Sequence, residues 1–237
     1  MKISAPVYHL KRKAKLLSRL EKIPLHKALD RIAAGEGFDS WSLLAAKISE
    51  VSHSAKLFEQ LRAGDLVLIG ARPGHGKTLL SLELAVEAMK TGKSASFFTL
   101  EYTRKDIVDC FRRIGADWEK FKGLFEFDTS DAISADYIVG RLASAARGTL
   151  VVIDYLQILD QNRDKPELMT QIRKLKSFAK DKGIIIILLS QIDRLYDPAA
   201  KPFPEITDVR LPNPLDLSLF NKTCFVNNGE IRFQMAG

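Results

Sequence analysis

Apolar residues follow two different rhythms, and the change falls near residue 60. Val7, Leu10, Ala14, Leu17 and Leu20 recur at steps of three and four, which predicts an amphipathic helix over 7–21. Pro24 suits the first turn of a second helix, 24–34, where its missing N–H costs nothing, and Gly35 and Gly37 close it. Ser40 is placed to cap a third helix, 41–48, with Trp41, Leu44 and Ala45 facing inward. Together they predict a small helical N-terminal appendage, residues 1–52, with the polar run 49–56 as the joint.

Beyond Leu66 the pattern changes. Near-continuous apolar runs at 66–69, 95–100, 150–153 and 184–189 alternate with helical periodicity near 77–91, 104–114, 134–146 and 166–182. Strands apolar on both faces and separated by helices predict an α/β domain, over 57–237, with a mostly parallel sheet buried between helical layers. Near the C-terminus, 222–227 and 230–234 flank Asn228-Gly229, a pair that tolerates the positive φ of a tight hairpin turn.

Composition narrows the class. Hydrophobic residues make up 46% and charged residues 27%, the balance of a globular protein. No apolar run reaches the length of a membrane span, and the basic N-terminus lacks the apolar core of a secretion signal. The expectation is a cytoplasmic chain with no membrane partner. Cys110 and Cys224 are too few for a disulfide framework or a zinc site. Lys2, Lys11, Arg12, Lys13, Lys15, Arg19 and Lys22 against Glu21 put +6 of the formal +7 before Pro24. Such an arm suits a polyanion or an acidic partner, and equally a solvated helix face.

The chemistry concentrates where strands end, as it does in open α/β sheets. Ala71, Arg72, Pro73, Gly74, His75, Gly76, Lys77, Thr78 and Leu79 form a phosphate-binding loop with Ala in its first position. Its glycines let successive N–H groups face an anion, and the helix that begins there adds positive potential. Lys77 is placed to reach the β- and γ-phosphates of ATP, and the Thr78 hydroxyl to ligate Mg²⁺. Asp154, after an apolar strand, suits an acidic residue holding that ion, partly through water. Glu101 suits a general base for the attacking water, although Thr103-x-x-Asp106 also permits it simply to open a helix. The Gln191 amide suits a γ-phosphate sensor, or merely a polar strand end. A water-activating carboxylate without a compact Arg-rich lid points to hydrolysis rather than transfer.

With these residues placed, the chain resembles the ATPase domain of the DnaB-type replicative DNA helicases, within the RecA-like P-loop ATPases. The likeness rests on Gly64-Asp-Leu-Val with the phosphate loop, Phe97-Phe-Thr-Leu-Glu101, Ile153-Asp-Tyr-Leu-Gln157, Leu189-Ser-Gln-Ile-Asp-Arg194 and Thr207-Asp-Val-Arg210. It implies a RecA-like fold, ATP hydrolysis, assembly of identical subunits into a ring or filament, and single-stranded DNA held by channel loops near 161–165 and 196–204. Arg163, Lys165, Arg194 and Lys201 are the phosphate contacts available there, with Tyr196 for base stacking. It also implies a basic finger acting on a neighbour's ATP, for which Lys222 and Arg232 are the candidates. The basic appendage stands in place of the family's larger N-terminal domain, and Leu211-Pro-Asn-Pro replaces its acidic stretch. A regulatory or accessory ATPase, or a recombinase-like filament, is therefore the alternative to a true unwinding motor.

Overall fold

The computed structural model describes residues 4–5, 7–49, 53–160, 166–197, 201, 203–211, 213–227 and 230–235. The chain divides into two compact units, Met1–Lys56 and Leu57–Gly237. The first holds α1 (Val7–Leu20), α2 (Leu25–Gly35) and α3 (Trp41–Ser49). Leu10, Ala14, Ala33 and Leu44 are buried, on the faces that the three- and four-residue spacing selects. Asp30 accepts the Trp41 N–H at 2.9 Å, satisfying one of the donors that α3 leaves open at its start. The expected joint is itself partly helical, because α4 runs from His53 to Glu59.

The second unit is a seven-stranded sheet. Its strands are β1 (Leu66–Ala71), β2 (Ala95–Thr99), β3 (Phe125–Asp128), β4 (Leu150–Asp154), β5 (Ile185–Gln191), β6 (Lys222–Asn227) and β7 (Glu230–Met235). They lie in the order β3-β2-β4-β5-β1-β6-β7. All pairs are parallel except β6 with β7, the expected hairpin, whose Asn228-Gly229 tip lies outside the described residues. The helices are α5 (Lys77–Lys90), α6 (Arg104–Arg113), the short α7 (Trp118–Phe121), α8 (Ala135–Arg141) and α9 (Leu168–Lys182). Two apolar clusters cover the two faces of the sheet, one gathering α5 and α6 and the other α8 and α9.

Two departures from the sequence reading, and one packing detail, have physical causes. The edge strand β3, Phe-Glu-Phe-Asp, is too short to announce itself by alternation, yet Phe125 packs edge-on to Phe111 and Trp118. Helix α8 stops at Arg141 rather than near 146, and single turns at Ala143 and Ala145 replace it. Gly70 is a packing glycine, since a Cβ there would meet the Phe225 ring at 2.8 Å.

Lys222 corrects an expectation. It pairs with Val67 near the start of β1, at the opposite end of the sheet from the phosphate loop. Its ammonium donates to the Asp65 carboxylate and to the Gln60 carbonyl at 2.7 Å, and its side chain is 7% exposed. A cation so enclosed cannot reach a neighbouring subunit. Lys222 anchors the base of the sheet instead.

Candidate functional site

β1 delivers the chain to the loop at Ala71. The His75 N–H donates to the Arg72 carbonyl at 3.1 Å, folding the loop into a turn. Gly74 and Gly76 have φ of 79° and 96°, left-handed values that a side chain would strain. Gly76 thereby passes directly into α5, whose first residues, Lys77 and Thr78, are buried. The N–H groups of that first turn face the loop, as anion binding requires.

Parallel register brings the other groups to the same end. Thr99 lies opposite Asp154 across β2 and β4, and Gln191 lies opposite Ala71 across β5 and β1. Asp154 is fully buried, and its Oδ2 accepts the Thr78 hydroxyl at 3.0 Å. Its Oδ1 is buried with no partner. Burial pushes the Asp154 carboxyl up to about 6, the Lys77 ammonium and the Thr78 hydroxyl pull it back, and the Glu101 carboxylate adds to the rise.

Glu101 is exposed just past the end of β2, and its N–H is held by Thr99 Oγ1 at 3.0 Å. Helix α6 is capped by Thr103 and Asp106 in a reciprocal box, so Glu101 has no part in starting it. Its carboxylate borders an open cavity of about 650 Å³ lined also by Tyr102, Asp109, Cys110 and Arg113. Tyr102 escaped the sequence reading. Its hydroxyl donates to Thr78 Oγ1 at 3.4 Å, and burial raises its pKa. A tyrosine beside a strand-end carboxylate carries no signal until the fold brings it to Thr78. Gln191 is half-buried, and its carbonyl accepts the Arg210 N–H at 2.8 Å.

The residues expected to meet DNA separate into distinct groups. Arg163 and Lys165 lie outside the described residues. Arg194 is exposed and lines a second cavity, about 560 Å³, with Arg72 and His75. Lys201 is engaged by Asp208 at 2.8 Å and Glu205 at 2.9 Å, so two carboxylates already neutralise it. Tyr196 is 6% exposed, and its hydroxyl donates to the Lys201 carbonyl at 2.7 Å. Its ring is part of the core, which corrects the expectation that it stacks on bases. Arg232 is exposed on β7, with its guanidinium 4.7 Å from the centre of the Phe203 ring. Cys110 and Cys224 are free and buried, and no described helix is long and apolar enough to cross a membrane.

Comparison with known proteins agrees with this geometry. Residues 36–207 match the family described as "ATPase: KaiC". Among curated relatives, a replicative DNA helicase DnaB from Helicobacter pylori is 27% identical over 179 residues, 62% of this chain and 37% of the relative. That of Pasteurella multocida is 27% identical over 221 residues, 78% of this chain and 47% of the relative. The chain thus spans less than half the length of these relatives. Among solved structures, a DnaB-like replicative helicase, determined in a study of its interactions with primase, aligns with a TM-score of 0.56 at 19% identity, covering 92% of this chain and 66% of that one. A second solved chain, described as an ATPase domain, also gives 0.56 at 21% identity, covering 78% and 81%. These likenesses establish the RecA-like fold, with its parallel sheet and terminal hairpin, that the motifs led one to expect. With the family match running over most of its length and through its phosphate loop, the chain belongs to the KaiC-type ATPase family.

Proposed function

We propose that the chain is the Mg²⁺-dependent ATPase part of a helicase-type motor acting on single-stranded DNA, assembled from identical copies in the cytoplasm. The observation that carries this reading is the meeting of Lys77, Thr78, Glu101, Asp154 and Gln191 at one end of a parallel sheet. The relatives named as replicative DNA helicases support the motor class.

In this reading each residue has a role that its position supports. The loop N–H groups and Lys77 bind the phosphates. Glu101, exposed and beside Asp154, accepts the proton of the attacking water. Gln191, at the end of β5 beside Ala71, would contact the γ-phosphate. The site fits a hard cation: Thr78 Oγ1 and Asp154 Oδ2 are 3.0 Å apart, and Oδ1 is buried without a donor. Magnesium takes one or two protein oxygens and leaves the rest of its shell to phosphate and water. When bound, it would neutralise charge on the phosphates. Arg232 remains the candidate finger toward a neighbour's ATP, and Arg194, with Arg163 and Lys165, the candidate contact to DNA.

The engagement of Lys222 by Asp65 also favours a second reading, a nucleotide-dependent switch without unwinding, because it leaves Arg232 as the remaining candidate on the hairpin. ATP turnover with and without single-stranded DNA separates the two. Turnover that rises with DNA supports the motor, and turnover indifferent to DNA supports the switch.

A further inference from the structure

Gln157 sits three residues past Asp154, on the single 3₁₀ turn Leu156–Asp160 that follows β4. Its Nε2 donates to the Arg210 carbonyl at 2.9 Å, across 53 residues of sequence. The Arg210 N–H in turn donates to the Gln191 carbonyl at 2.8 Å, and the Asp193 N–H to the Asp208 carbonyl at 2.7 Å. Ile192 bridges Val209 in antiparallel fashion, and the Ile192 N–H donates to the Ala71 carbonyl at 3.1 Å. A short ladder of 191–193 with 208–210 is therefore held on one side by the first residue of the phosphate loop. The Gln157 amide holds it on the other.

We propose that Gln157 is a positioning residue: by gripping the Arg210 carbonyl it sets the place of Gln191 relative to the phosphate loop, and so makes the site distinguish ATP from ADP. Its Oε1 is shielded from solvent with no protein donor, so among the described residues the amide is held through its Nε2. Phosphate-loop binding does not pass through Gln157, whereas placement of Gln191 does. The inference rests on the ATPase reading and deepens it.

The test uses the full chain with Gln157→Met, which keeps length and removes the amide, and Gln157→Glu, whose carboxylate cannot donate. Affinity for fluorescent ADP and for a non-hydrolysable fluorescent ATP analogue is measured alongside amide hydrogen exchange at Ile192 and Arg210. Both variants should bind ADP as the parent does. Their preference for the ATP analogue over ADP should fall about threefold to tenfold, the worth of one net hydrogen bond, and exchange at Arg210 should quicken by a similar factor. An unchanged preference overturns the proposal. Equal weakening for both nucleotides also overturns it, because that is what a merely structural contact gives. If the parent chain binds neither nucleotide, the ATPase reading itself falls and takes this proposal with it.

Discussion

Thr78 and Asp154 stand 76 residues apart in sequence and share a hydrogen bond of 3.0 Å, hydroxyl to carboxylate, at the mouth of the phosphate loop. One residue stands in the first turn of α5 and the other ends β4, so the contact ties helix to sheet. It also leaves a buried carboxylate whose other oxygen is unsatisfied, an arrangement that favours a cation beside it.

That carboxylate makes stability depend on pH. Asp154 titrates near 3.8 when exposed and near 6 when folded. Below the lower value both states are protonated and nothing is lost. Between the two the folded chain keeps a proton that the unfolded chain releases, so stability falls as pH rises and levels off above about 6. The full loss is up to about 3 kcal/mol. Asp154→Asn should remove it. Without nucleotide or divalent cation, the variant's stability advantage in urea titrations should be small at about pH 4 and grow to its maximum above about pH 7.

Glu101→Gln keeps shape and removes the base. Nucleotide affinity should be unchanged and steady-state hydrolysis should drop by roughly 10²–10⁴. Lys77→Ala should behave oppositely, losing affinity first, as equilibrium binding will read. Parent-like turnover in Glu101→Gln would remove the carboxylate from the chemistry.

Lys222 and Arg232 share a hairpin yet should fail in different ways. Lys222→Ala leaves Asp65 buried without its cation and should lower stability by about 3–5 kcal/mol. Arg232→Ala removes an exposed side chain and should leave the melting temperature nearly unchanged. If Arg232 is the finger, the rise of turnover per subunit with protein concentration should shrink in this variant, by as much as ~10³-fold at full assembly. A rise identical to the parent's would exclude it.

Lys11, Arg12, Lys13 and Lys15 are exposed on α1, while Leu10 and Ala14 hold its core face. Replacing the four with Gln spares the core. If they meet DNA phosphates, the slope of log affinity for single strands against log salt should flatten by up to about 3. An unchanged slope would assign the arm to an acidic protein or to solvent.

The sequence revealed more of the site than of its surroundings, for reasons visible in particular residues. That the Ala71–Leu79 loop and Asp154 lie at the same end of the sheet was legible because glycines, a lysine and a carboxylate at fixed offsets from apolar runs have few other uses. Tyr102 and Gln157 were not assigned roles because each acts through a partner far along the chain, Thr78 and the Arg210 carbonyl. Lys222 misled for the same reason. A lysine opening a strand reads as solvent-facing until Asp65 is folded against it. Tyr196 looked like a stacking platform because an aromatic ring among cations does so, and only packing shows it turned inward. The strand β3 was missed because four residues hold too little alternation to stand out.

Strand β1 carries the phosphate loop between two neighbours that a ribosome delivers late. Leu66 first finds Ile186, and Val67 then finds Lys222. Until both arrive, the emerging polypeptide holds an apolar strand with open edges, which is a hazard for aggregation and slows completion of the fold. The side chain that fills the space over Gly70 arrives later still, at Phe225. A fragment ending before Lys222 would therefore contain the whole phosphate loop, Glu101, Asp154 and Gln191, and yet bind nucleotide poorly. In such a molecule, possession of the site residues is complete at Gln191, and their use waits for β6.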